Sequence, residues 1–161
     1  MHGVDQRTLV TLTREELVEA ATVGARRNAE DLADGKGIGY FSVYDDWGWT
    51  VHIIGAIGER VFAKFMQVPW EPAPMKGVDV AGCMVRCSMK ATSPLRVRDR
   101  DADDKVYVLV VNNDPKTFLR WRVAGYCSGK EGKRPEWRND PQGRGPVFEV
   151  PQNVLKEFVW S

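Results

Sequence analysis

Over residues 14–32 the apolar positions recur at helical spacing. Leu17, Ala21, Ala25, Asn28 and Leu32 share one face, while Arg14, Glu15, Glu19, Arg26, Arg27 and Glu30 solvate the rest. Thr13 and Glu16 have the S/T-x-x-E spacing of a capping box, and Gly35 and Gly37 mark the stop. A second helix is predicted over 51–66; it is apolar nearly all round, so it is the one to be buried. Pro69, Pro72 and Pro74 end it and impose an extended linker. The intervening GKGIGYFSVYDDWGWT is glycine-rich and aromatic and reads as a loop holding Trp47 and Trp49.

From Val78 the period changes to two. Strands are predicted over 78–80, 83–89, 95–98, 105–111 and 118–126, with Pro94 and the run RDRDADD as turns. KVYVLVV has few polar positions, as a strand buried on both faces requires, whereas TFLRWRVAGY alternates. SGKEGKRPEWRNDPQGRGP is a long polar connection, after which VFEVP and a short helix over 152–158 close the chain. These elements predict an α/β (α+β) fold, a single domain over 1–161. A central mixed sheet of about four or five strands is flanked by helices, with the 51–66 helix on one face. Residues 1–13 are expected to form a flexible N-terminal segment.

Composition bounds the function classes. With 161 residues, 43% hydrophobic and 28% charged, the chain supports one soluble globular core without a disulfide or metal staple. Its most apolar stretch is broken by His52, Glu59, Arg60, Lys64 and Gln67, which rules out a membrane span there. The start MHGVDQRTLV carries no readable secretory signal, so a cytoplasmic location is expected. Lys plus Arg number 23 against 22 Asp plus Glu, so any nucleic-acid site must be a local patch. Cys83, Cys87 and Cys127, with only two histidines, make a poor zinc set and read as free, mostly buried thiols.

Candidate chemistry lies where the second helix meets the first long strand. By strand parity Cys83, Val85, Cys87 and Met89 point one way, and Met84, Arg86, Ser88 and Lys90 the other. A short hairpin through Ala81 and Gly82 brings the Asp79 carboxylate beside the polar face of Arg86, Ser88 and Lys90. Arg86 and Lys90 also read as ordinary solvated strand residues, and Asp79 as a turn carboxylate. Glu59 interrupts the most apolar helix, and a buried carboxylate needs a cation, a proton or a metal. His52, two turns earlier on the same face, reads as a satisfied core histidine.

IGAIGERVFAKFM, then GVDV, then MVRCSMK, followed by a strand such as KVYVLVV, resembles the PD-(D/E)xK nuclease superfamily, particularly its small phage and prophage members. The closing VFEVPQNVLKEF is also similar to the ends of such phage proteins. The resemblance implies a restriction-endonuclease-like core and action on DNA by Mg²⁺- or Mn²⁺-dependent phosphodiester hydrolysis. It places Glu59 as the helix glutamate and Asp79 as the metal-binding aspartate. Met84 and Arg86 stand at the acidic and lysine positions, with Lys90 as an alternative cation. In such sites carboxylates hold the ion, which polarises the phosphate and activates water, while the lysine stabilises developing charge. Met84 departs from the pattern, and arginine cannot act as a base. A catalytically degenerate nuclease-fold protein that binds nucleic acid, or a host or phage protein, is the alternative.

Lys130, Lys133, Arg134, Arg138 and Arg144 surround Trp137, a composition that suits a solvated loop or contact with phosphates and an unpaired base. The four aspartates between Asp99 and Asp104 lack the spacing of a calcium loop and read as a charged turn.

Overall fold

A computed structural model describes residues 8–36, 47–72, 79–141, 143 and 145–159. In chain order the elements are β1 (Leu9–Thr11), α1 (Arg14–Ala33), α2 (Trp47–Met66), β2 (Cys83–Ser88), β3 (Leu95–Val97), β4 (Val106–Asn112), β5 (Arg120–Ser128), α3 (Gly129–Gly132), β6 (Arg138–Asn139) and β7 (Val147–Val150). Short 3₁₀ turns occupy Pro135–Trp137 and Gln152–Val154.

Both bonds of the α1 capping box form: the Thr13 N–H donates to Glu16 Oε1 (2.8 Å), and the Glu16 N–H donates to Thr13 Oγ1 (3.1 Å). The same carboxylate accepts from Arg60 and Lys64 of α2, each at 2.6 Å, so the start of α1 is tied to the end of α2. The helix backbones approach closely at Gly24, where a Cβ would lie 2.5 Å from Ile53 Cα and 2.6 Å from the His52 carbonyl oxygen. The fully buried positions of α1 are therefore Ala20, Gly24 and Asn28; of the predicted stripe Asn28 is buried, Leu17, Ala21 and Ala25 flank this line half-buried, and Leu32 is exposed. The close approach of backbones, rather than side-chain size, selects that face.

The main sheet has the order β1-β5-β4-β2. β2 runs parallel to β4, and β5 is antiparallel to both β4 and β1, so the sheet is mixed. A bulge between Leu109 and Val110 leaves Ala124 as the extra residue of β5. α2 covers one face, packing Ile57, Val61 and Phe62 with Val108, Val110, Trp121 and Val123. The second sheet, β3-β7-β6, covers the opposite face, where Leu95, Val97, Phe148 and Val150 meet Tyr107, Leu109 and Val111. β4 is thus enclosed on both sides, as its apolar run predicts, and burying Phe62 alone contributes about 1.5–3 kcal/mol.

Five boundaries differ from expectation. α2 begins at Trp47 rather than at residue 51, so Trp47 and Trp49, expected in a loop, belong to its first turn. Leu9–Thr11 is a strand on β5 rather than flexible chain, because its backbone pairs with Arg120–Arg122; residues 1–7 lie outside the described residues. The predicted strand over 78–80 shrinks to a bridge between Val80 and Cys83, with Val78 outside the described residues. β5 starts two residues late, since Phe118 takes a left-handed turn conformation (φ 59°). The predicted helix over 152–158 is only one 3₁₀ turn. The chain then runs extended, and Lys156 and Tyr126 exchange backbone hydrogen bonds of 2.9 and 3.0 Å. Among the described residues no helix is long and apolar enough to cross a membrane.

Candidate functional site

Glu59 lies in the middle of α2 and is only 6% exposed. Its charge is met from α1. Arg27 Nη1 donates to Oε2 at 2.7 Å and Nη2 to Oε1 at 3.2 Å, and Nη2 also donates to the Pro72 carbonyl at 2.7 Å. One guanidinium thereby joins α1, α2 and the chain that leaves α2. Burial pushes the Glu59 carboxyl above its usual range, and the Arg27 hydrogen bonds and charge oppose that shift. The negative charge of Asp79 adds to the rise, so the two carboxylates are electrostatic neighbours. The indole N–H of Trp70, buried without a hydrogen-bond partner of good geometry, still draws the Glu59 carboxyl slightly down.

Asp79 is placed by a two-residue turn. Ala81 and Gly82 both have positive φ (50° and 76°), and Cys83 N–H donates to the Val80 carbonyl at 2.8 Å, the geometry of a type I′ hairpin. The short hairpin expected through these two residues is therefore present, but it sets the Asp79 carboxylate at the edge of β2 rather than on the Arg86 face, where Asp101 takes that place. Asp79 Oδ2 accepts from the Val85 N–H at 2.8 Å, capping β2 on the side away from β4. That carboxylate supplies an edge strand with an acceptor it would otherwise take from water.

Arg86 does not join them. Cys83, Val85 and Cys87 face α2; a Cβ on Gly58 would lie 2.6 Å from Cys87 Cβ. Met84 and Arg86, at the opposite parity, are paired in register with Tyr107 and Leu109 on the second-sheet side. There Arg86 Nη2 donates to Asp101 Oδ1 at 2.9 Å and the guanidinium stacks over the Tyr107 ring at 5.2 Å. The expectation that Arg86 shares a cleft with Glu59 is corrected: α2 covers one sheet face and Arg86 lies on the other. Lys90 lies beyond the end of β2 in an exposed turn, where its N–H donates to Ser88 Oγ at 3.3 Å. His52 Nε2 lies 3.1 Å from Asp31 Oδ2 across the helices, but this buried nitrogen makes no hydrogen bond of good geometry, so the expectation of a satisfied histidine is not met there.

These positions do not fit a divalent ion. Both Glu59 oxygens face a guanidinium, one Asp79 oxygen caps a strand, and Met84 offers no oxygen. Among the described residues no group of three His, Cys, Asp or Glu could hold a metal. Arg27 occupies the place of the cation, and the sequence reading missed it by assigning it to the solvated face of α1. The available signal was its position beside the inward Asn28, together with the need of Glu59 for a counter-charge.

The basic segment and the aspartate turn neutralise one another. Lys133 Nζ donates to the carbonyls of Asp99 (3.2 Å) and Asp101 and to Asp103 Oδ1 (2.7 Å). Arg138 forks onto Asp99 (3.1 and 3.2 Å) and stacks on Phe148. Arg134 is exposed, 3.3 Å from Glu136, and lies over the Trp137 ring at 5.3 Å. Lys130 is exposed, and its N–H donates to the Asp103 carbonyl; Arg144 lies outside the described residues. Cys83, Cys87 and Cys127 are free thiols, and burial raises the pKa of each, Cys127 to about 11.

No protein-family model, curated protein or solved structure matches this chain, so the reading of the site rests on its own geometry.

Proposed function

We propose that this chain is a catalytically silent protein of nuclease-like design that acts by binding, with DNA as its partner. The observation that carries the reading is the Arg27 fork on Glu59. The glutamate that would hold an ion is already matched by a guanidinium, and the arginine at the family's lysine position lies across the sheet. Support for DNA is the exposed Arg134, held over the half-buried Trp137 ring, a cation beside an aromatic that can meet a phosphate and an unpaired base. The test is a cleavage assay on single- and double-stranded DNA with Mg²⁺ or Mn²⁺, run beside a binding titration across salt. Binding that weakens with salt, with no metal-dependent cleavage, is expected. No binding at low salt would move the reading to a protein partner.

A second reading, metal-dependent hydrolysis, draws on the nearness of Asp79 to Glu59 and would require Arg27 to leave both Glu59 oxygens before an ion could bind. It requires cleavage that stops with a chelator and is lost in Asp79→Ala. It also requires Met84→Glu to raise activity.

A further inference from the structure

A cleft of about 600 Å³ opens at the outer edge of β5, away from Glu59. Its position follows from pairing. β1 leaves β5 at the Leu9–Arg122 pair, and the C-terminal chain rejoins it only at the bridge from Tyr126 to Lys156. Between them, around the bulged Ala124, no described strand covers β5. Gly125 (φ 143°) lets the C-terminal chain cross closely, since a Cβ there would lie 2.7 Å from the Lys156 carbonyl oxygen.

Arg122 is the cation of this cleft, and its surroundings are unusual for this protein. Most other partly buried cations described above meet a carboxylate: Arg27 meets Glu59, Arg60 meets Glu16, and Arg86 meets Asp101. Arg122 instead donates from one terminal nitrogen to two neutral acceptors, Gln152 Oε1 at 2.7 Å and the Ala91 carbonyl at 3.1 Å. Among the described residues no carboxylate oxygen pairs with it. Glu157 belongs to the same lining but stands exposed and forms no ion pair with it. Desolvation lowers the Arg122 pKa, and no opposing negative charge raises it. Gln152 is itself held, its Nε2 donating to the carbonyls of Ala91 and Ser93 at 2.8 Å each, so the guanidinium is oriented in advance. Phe65, Phe158 and Val123 supply an apolar wall on the α2 side of β5, so the cleft wraps round the open strand edge from this wall to Arg122 on the opposite face.

We infer that this cleft is a binding site for a small organic anion, with one phosphate or carboxylate group on Arg122 and an apolar, ring-sized body against Phe65 and Phe158. The volume falls within the range of small-molecule sites, and a partly desolvated guanidinium with neutral partners gains most from an oxyanion. The inference does not rest on the reading of Glu59.

Calorimetric titration in a phosphate-free buffer tests it, with phenyl phosphate, benzoate and inorganic phosphate as probes. Phenyl phosphate is expected to bind, and to bind at least about tenfold tighter than inorganic phosphate, the difference being the ring. Benzoate separates a carboxylate preference from a phosphate one. Arg122→Gln is expected to weaken phenyl phosphate by about tenfold or more. Thr92→Trp, at an exposed position of the lining that leaves Arg122 untouched, is expected to block it by filling the cleft. Absence of binding by both organic probes at millimolar concentration would overturn the inference. So would equal affinity for phenyl and inorganic phosphate, or binding unchanged in Thr92→Trp.

Discussion

At the scale of single residues, Arg27 and Glu59 decide the character of the site. A largely buried ion pair is worth little against a well-packed apolar replacement, but removing one partner strands the other. Arg27→Met is therefore expected to destabilise the fold by about 3 kcal/mol, leaving Glu59 buried without its cation, whereas Arg27→Met with Glu59→Leu should recover most of that loss. Urea denaturation of the single and double variants measures both. An Arg27→Met protein as stable as the wild type would mean that Glu59 finds another counter-charge. Glu131 sets a pH dependence of known sign. It accepts from Lys156 at 2.7 Å and from the Ser128 N–H at 3.0 Å, and these bonds hold its carboxyl at about 2, below the ordinary 4.5. A depressed carboxyl contributes stability that is complete above the unfolded value and lost as pH falls through the folded one. The stability gap between wild type and Glu131→Gln should accordingly be constant above about pH 5 and close between pH 4.5 and 2.

At the scale of elements, the α1–α2 hairpin depends on backbone contact at Gly24. Alanine is the better helix former by about 1 kcal/mol, so an exposed Gly→Ala change would stabilise α1. Here the new Cβ would meet the Ile53 backbone at 2.5 Å, and overpacking costs of about 1–3 kcal/mol oppose the gain. Gly24→Ala should therefore lower the melting temperature, and a rise would show that the helices separate at no cost. The β2 hairpin holds the opposite opportunity. Ala81 sits at φ 50°, where a Cβ is disfavoured and asparagine is tolerated. Ala81→Asn should raise stability by up to about 1 kcal/mol while leaving Asp79 on Val85.

At the scale of the whole molecule, cations matter by what they already hold. Lys133 clasps three oxygens of the aspartate turn, and its ammonium pKa is raised chiefly by Asp103. Lys133→Ala should lower the melting temperature, with DNA affinity little changed. Arg134→Ala should do the reverse, weakening DNA binding and flattening the slope of log affinity against log salt by about 0.7–0.9. A titration across salt with both variants checks the division. Equal slopes in Arg134→Ala and wild type would remove Arg134 from the interface.

The repeating patterns were legible from the chain itself. The capping box, the doubly buried β4, the alternation of β5 and the Ala81–Gly82 hairpin all depend on near neighbours, and local sterics and periodicity suffice to specify them. The candidate site was legible only in part, because parity separated Arg86 from Val85 but could not say which sheet face α2 would cover. That was decided in three dimensions, where Gly58 seats α2 against Cys87 and leaves Arg86 to Asp101 and Tyr107. The partner of Glu59 was likewise beyond local reasoning. A carboxylate on an apolar helix demands a cation, but which of 23 Lys and Arg provides it depends on how two helices cross. Arg122 belongs to the same class: its neutral partners come from 30 and 31 residues away, and only the folded chain brings them together without a carboxylate.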